Sequence, residues 1–166
     1  MAIITLQGKP QHTVGDLPKI GSAAPDFTLT KTDLSDVTLS GYLGKKILLS
    51  IFPSVDTGTC ATVMRRFNEK CNNMDNVTVL CISADLPFAQ KRFCAAENLA
   101  NVIPVSTFRH PDFGKRYGVM LSEGPLAGLL SRAVVILDEK GKVVYTQLVP
   151  EISAEPDYEG ALEALR

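Results

Sequence analysis

The chain has 166 residues, with 17 Lys and Arg against 18 Asp and Glu, and 45% of its residues are hydrophobic. That is about the size of one ordinary domain and too apolar for a disordered chain. Balanced charge without a basic stripe argues against a nucleic-acid partner, and no run of about 18 apolar residues is present to cross a membrane.

The opening stretch, MAIITLQGKPQHTV, lacks a basic start, a long apolar segment and a small-residue cleavage site, so the expectation is a soluble, cytoplasmic protein. It reads as a short hairpin, ITLQ and HTV joined by GKP. Next comes GSAAPDFTLTKTDLSDVTLSGYLGKK, turn-rich, with alternating FTLT and VTL segments expected as edge strands. The first strongly apolar strand spans Lys46 to Phe52 and runs into the loop PSVDTGTC. A helix is expected from about Cys60 to Met74, with Val63, Met64, Phe67, Cys71 and Met74 on one face.

NVTVLCISAD then reads as a central parallel strand, apolar on both faces. A second helix is expected over Leu86 to Leu99, with Asp85 as N-cap and Pro87 in its first turn. VIPVSTF, a short helix near PDFGKRYG and the loop SEGPLAGLLS follow. RAVVILDEKGKVVYTQLV reads as a hairpin turning at DEKGK, and the tail EPDYEGALEAL as a short amphipathic helix. A helical crossover between the first two core strands implies parallel pairing, and the late hairpin adds antiparallel strands. The expectation is one α/β domain over residues 1–166. It has a thioredoxin-like fold: a mixed central sheet flanked by helices, with an N-terminal β-hairpin extension.

The four cysteines, Cys60, Cys71, Cys81 and Cys94, show no CxxC spacing, and with only His12 and His110 beside them they make no zinc site. Cys71 lies about 16 Å along the helix from Cys60 at ~1.5 Å per residue, too far for a disulfide, and falls on the apolar stripe. Cys81 lies in the core strand. Both read as buried and inert. Cys94 projects roughly 130° from a buried stripe of Leu86, Ala89, Phe93, Ala96 and Ala100, toward solvent, where a free thiol is a liability unless it is used. Cys60 falls where loop becomes helix, beside unpaired N–H groups and partial positive charge that favour a thiolate. Thr57 supplies a hydroxyl three residues upstream and Pro53 stiffens the approach. Cys60 is therefore the expected nucleophile.

PSVDTGTC also matches the peroxiredoxin pattern of Pro, three residues, Thr or Ser, two residues and Cys, with Pro53, Thr57 and Cys60 in its defining places. DLSDVTL, VLCISADLPFAQKRFC, GPLAGL and RAVV extend the resemblance, over nearly the whole chain, to the bacterial thiol peroxidases, or atypical two-cysteine peroxiredoxins. That resemblance implies Cys60 as peroxidatic and Cys94 as resolving cysteine, joined after oxidation in an intramolecular disulfide. It places Thr57, Pro53 and Arg132 in the supporting pocket. It further implies hydrogen peroxide and organic hydroperoxides as substrates, thioredoxin as reductant, a homodimer, and no metal, flavin or haem cofactor. The apolar GPLAGLL loop is expected to form a lip favouring alkyl hydroperoxides. A thiol–disulfide oxidoreductase is disfavoured because Thr57 stands where a CxxC would begin. A one-cysteine peroxidase and a slow redox sensor stay open at this point.

Overall fold

The computed structural model describes residues 1–166. Two hairpins open the chain. Strands β1 (Ile3–Leu6) and β2 (Lys9–His12) form a separate antiparallel pair, and β3 (Thr28–Lys31) pairs with β4 (Asp36–Thr38). The first turn is Gln7–Gly8, with φ of 50° and 81°, rather than GKP. A two-residue loop whose backbone twist matches the strands needs positive φ at both central positions, which Gly8 adopts freely. Lys9 and Pro10 therefore belong to β2, opposite Leu6 and Thr5.

A seven-stranded sheet carries the remainder. Its strands are β5 (Lys46–Ile51), β6 (Val77–Ser83), β7 (Ile103–Ser106), β8 (Ala133–Leu137) and β9 (Val143–Leu148), with β3 and β4 at one side. Across the sheet the order is β4-β3-β7-β6-β5-β8-β9, so β4 is an edge while β3 is covered by β7. The pairs β5–β6 and β6–β7 are parallel; β5–β8 and β8–β9 are antiparallel. This is the expected mixed sheet.

Strand alternation sends the side chains to two faces. On one, Ile47, Leu49, Leu80, Ile82 and Val135 pack under Phe27, Phe113 and Tyr117; Phe113 lies in the short helix α3 (Asp112–Arg116) and stacks on Tyr117 at 4.5 Å. On the other, Leu48, Val79, Cys81, Val134 and Ile136 lie under three helices: α1 (Gly58–Lys70), α2 (Pro87–Glu97) and α4 (Tyr158–Leu165).

Helix α1 starts two residues before the expected Cys60 and ends well before Met74, because Asn72 N–H turns back to the Glu69 carbonyl. Val63, Met64 and Phe67 are buried as expected. In α2, Leu86 rather than Asp85 is the N-cap and makes no side-chain cap, with Pro87 at the first helical position. Asn98 closes the helix in the left-handed region at φ 54°. Its buried face is Pro87, Gln90 and Phe93, while Leu86, Ala96 and Ala100 are exposed. Gln90 is tolerated there because its amide nitrogen donates to Ser83 Oγ at 3.1 Å and to the Val105 carbonyl at 2.9 Å.

The N-terminal hairpin docks onto the segment after β9. Thr5 N–H donates to the Pro150 carbonyl at 2.7 Å and Ile152 N–H to the Thr5 carbonyl at 2.9 Å. The Glu151 carboxylate accepts from Ser153 N–H and Oγ, Gly8 N–H and Thr5 Oγ1. Ser153's backbone and side-chain donors, followed by Gly8 and Thr5, hold the Glu151 pKa down at about 2, from an ordinary 4.5. The contribution of these bonds is present above pH 4.5 and is lost as pH falls toward 2. In a pH titration by NMR, the Gly8 and Ser153 amide shifts should move with a midpoint well below 4.5 in wild type and show no such step in Glu151→Gln. A midpoint at the ordinary carboxylate value would overturn this account.

Candidate active site

The site begins where β5 ends. Pro53 is buried, and Val55 is drawn into the core among the side chains under α1. Thr57, in extended backbone with φ −92° and ψ 144°, caps α1: its Oγ1 accepts from Cys60 N–H at 3.3 Å and donates to the Ser54 carbonyl at 3.3 Å. Cys60 is fully buried in the first turn, with its Sγ accepting a bond from Arg132 Nη2 at 3.3 Å.

Arg132 immediately precedes β8 and is only 3% exposed. Its Nε donates to the Ile152 carbonyl at 2.9 Å, while its Nη1 is buried with no partner. A cavity of about 220 Å³ opens beside this guanidinium, lined by Pro53, Thr57, Gly58 and Thr59 on one side and Leu6, Leu126 and Ile152 on the other. Leu126 comes from the GPLAGLL loop expected as a lip. Leu6 and Ile152, from the hairpin and the segment it docks on, were not identified from sequence. The hairpin's only signal was an apolar strand, and Ile152 acts toward Arg132 through its backbone carbonyl.

The structure thus brings Pro53, Thr57, Cys60 and Arg132 together. Their arrangement puts one fixed cation, Arg132, between a buried sulfur that it bonds and a small, partly apolar cavity that it lines. That suits attack by the sulfur on a small polar bond whose leaving atom gains negative charge. No group of His, Cys, Asp or Glu is arranged to hold a metal ion.

Cys94 is not in the cavity lining. All four cysteines are free thiols. The solvent-side position expected for Cys94 is corrected: it is half-buried at the flank of the true inner face of α2, against the same core cluster as Cys71 and Cys81. Burial pushes its thiol up to about 11. Burial likewise raises Cys71 to about 11 and Cys81 further still.

The Redoxin family model matches residues 19–162. A thiol peroxidase from Mycobacterium tuberculosis is 56% identical over 165 residues, covering 99% of each chain. One from Corynebacterium glutamicum is 53% identical with the same coverage. Among solved structures, a peroxiredoxin-like protein from Aquifex aeolicus matches with a TM-score of 0.94 at 41% identity, over 99% of this chain and 96% of that one. A thiol peroxidase from Chromobacterium violaceum matches with a TM-score of 0.91 at 25% identity, over 98% and 94%. The expected thioredoxin-like fold, with its N-terminal hairpin, is the fold of these peroxiredoxin structures. With the family model matching most of the chain and its relatives aligned end to end, the chain belongs to the Redoxin family and, within it, to the bacterial thiol peroxidases, which are peroxiredoxin-type, thiol-dependent peroxidase enzymes.

Proposed function

We propose that the chain, acting as one domain over residues 1–166, reduces hydrogen peroxide and alkyl hydroperoxides through Cys60 and Cys94, with thioredoxin as the electron donor. The observation that carries this reading is Arg132: one guanidinium nitrogen lies 3.3 Å from Cys60 Sγ, and the other is buried, unpartnered and beside the cavity. A thiolate at Cys60 receives a charge-assisted bond there. It attacks one peroxide oxygen, the S–O bond forms as the O–O bond breaks, and the departing oxygen takes a proton to leave as water or an alcohol. Negative charge moves from sulfur to that oxygen, so donors fixed in advance contribute most at the transition state. The Arg132 guanidinium supplies those donors, while Pro53 and Thr57 line the wall. Leu6, Leu126 and Ile152 give an alkyl substituent an apolar surface.

The Cys94 thiol then attacks the Cys60 sulfenic acid; the S–S bond forms, the S–O bond breaks and water leaves. Thioredoxin's dithiol reduces this disulfide through a mixed disulfide. Cys60 is fully buried and Cys94 is half-buried in another helix, so the proposed exchange includes local unwinding of the Cys60 helix start or of the Cys94 segment. A thioredoxin reductant fits a cytoplasmic setting, and no helix is long and apolar enough to cross a membrane. The homodimer belongs to the same proposal. Leu34, Leu86, Phe88 and Phe108 are exposed around one cleft of about 290 Å³, and this apolar patch is the surface we assign to the second copy.

The deciding assay follows NADPH consumption with thioredoxin, its reductase and cumene hydroperoxide. Wild type should turn over, Cys60→Ser and Cys94→Ser should not, and Arg132→Met should lose about 10²–10³ in kcat/KM. Turnover surviving in Cys94→Ser would instead establish a one-cysteine peroxidase. Hydrogen exchange should rise across residues 57–64 and 88–96 when the disulfide forms; unchanged exchange in both segments would remove the local-unwinding step. In sedimentation velocity wild type should run as a dimer and Phe88→Asp as a folded monomer, and a monomeric wild type would end the dimer proposal.

A further inference from the structure

The stretch SADLPFAQ, between β6 and α2, contains a carboxylate that takes no part in the chemistry above. Asp85 was expected to cap α2, but its side chain turns the other way, toward the loop that leads to Cys60. Its Oδ1 accepts from Ser54 Oγ at 2.7 Å, and its Oδ2 accepts from Val55 N–H at 2.8 Å and Ser83 Oγ at 2.6 Å. Three donors on one carboxylate make a stiff junction, since charge-assisted bonds are short and about twice as strong as neutral ones. The junction is itself fixed from behind. Ser83 Oγ also accepts from the fully buried Gln90, and the Asp85 carbonyl accepts from the Ser106 hydroxyl.

From Asp85 the bonds lead through Ser54 and Thr57 to the backbone N–H of Cys60. Ser54, held by Asp85 through its side chain, presents its carbonyl to the Thr57 N–H at 3.2 Å and to the Thr57 hydroxyl at 3.3 Å. That hydroxyl in turn accepts from Cys60 N–H. The orientation of the Thr57 hydroxyl, and so of the cap on the turn that carries Cys60, is therefore set by where Ser54 stands. Asp85 also sits one residue before the N-cap of α2, the helix that carries Cys94. We infer that Asp85 is a positioning residue for the peroxidatic loop: it holds Ser54 and Val55, and through them Thr57, in the arrangement that reacts with peroxide, while pinning that loop to the base of the Cys94 helix. This inference rests on the proposed role of Cys60 as the peroxide-reactive thiol.

The two half-reactions separate this role from a merely structural one. Oxidation of Cys60 needs the loop ordered, whereas disulfide formation needs the same region to open. Asp85→Ala should therefore lower the second-order rate constant for peroxide with Cys60 by about 10-fold or more. The following disulfide step should be as fast as in wild type or faster. The first constant is read in a Cys94→Ser background, by quenching and mass-spectrometric counting of trapped sulfenic acid; the second is read in the two-cysteine protein. Asp85→Glu, which keeps the charge, and Ser54→Ala, which removes one donor, should fall between wild type and Asp85→Ala. They carry the test if Asp85→Ala fails to fold. A wild-type oxidation rate in folded Asp85→Ala, or equal slowing of both steps, would overturn the positioning role. Failure of the Cys94→Ser parent itself to react with peroxide would instead overturn the assignment of Cys60, so the two failures are distinguishable.

Discussion

A guanidinium held away from water is the constraint around which this structure is organised. Burying a charge without partners costs several kcal/mol, and Arg132 is only 3% exposed. Its partners are one backbone carbonyl, at Ile152, and one sulfur, at Cys60; a further nitrogen has none. A neutral sulfur is a weak acceptor and does little to offset that cost, whereas a thiolate, or an oxygen gaining negative charge beside it, does much more. The site is electrostatically incomplete until an anion forms within it, and that is the condition under which a fixed cation accelerates a reaction that moves negative charge from sulfur to oxygen.

Holding Arg132 in place requires parts of the chain far apart in sequence. The side chain leaves the start of β8, beside the central strand β5 that ends in the Cys60 loop, so the sheet brings cation and sulfur together. The Ile152 carbonyl arrives on the segment after β9, and that segment is clamped by the N-terminal hairpin through Thr5 and Glu151. The hairpin contributes no catalytic group. It positions the segment that positions Arg132, and it places Leu6 at the cavity wall.

These dependences explain which parts were legible in the sequence. Pro53, Thr57 and Cys60 lie within one loop and helix start, so their spacing alone carried the signal. Strands β5, β6 and β8 were legible as unbroken apolar runs, which only central strands tolerate. Arg132 was legible only through resemblance, since nothing local distinguishes a buried arginine at a strand start from a surface one. Ile152 acts toward Arg132 through a carbonyl that every residue possesses. The environment of Cys94 was misread because the inner face of α2 contains Gln90. A hydrophobicity pattern places Leu86 and Ala96 there instead; long-range bonds to Ser83 and Val105 make burial of the amide acceptable. Asp85 preceding a helix looked like a cap for the same reason: Ser54, Val55 and Ser83 are brought to it by the parallel pairing of β5 and β6.

In the proposed cycle Cys60 has to leave the packing that holds it in order to meet Cys94, and the two helices are not held evenly along their length. The first turn of α1 begins with Gly58 and Thr59, poor helix formers, has no acidic residue to complement the helix dipole, and is held by a long cap bond of 3.3 Å. Beyond it, Val63, Met64 and Phe67 anchor the helix in the core, with Phe67 edge-on to Tyr158 at 5.2 Å. In α2 Pro87, Gln90 and Phe93 are buried, so the helix is anchored as far as the residue before Cys94. The Cys94 half is joined across the seam by Arg92 to Asp56 and Arg65 to Glu97, largely exposed pairs that contribute at most about 1 kcal/mol each. Cys60 thus lies in a lightly capped first turn, and Cys94 follows the last buried anchor of its helix. In the proposed cycle these are the turns that open toward one another, while the sheet, the Arg132 anchor and the rest of both helices stay folded.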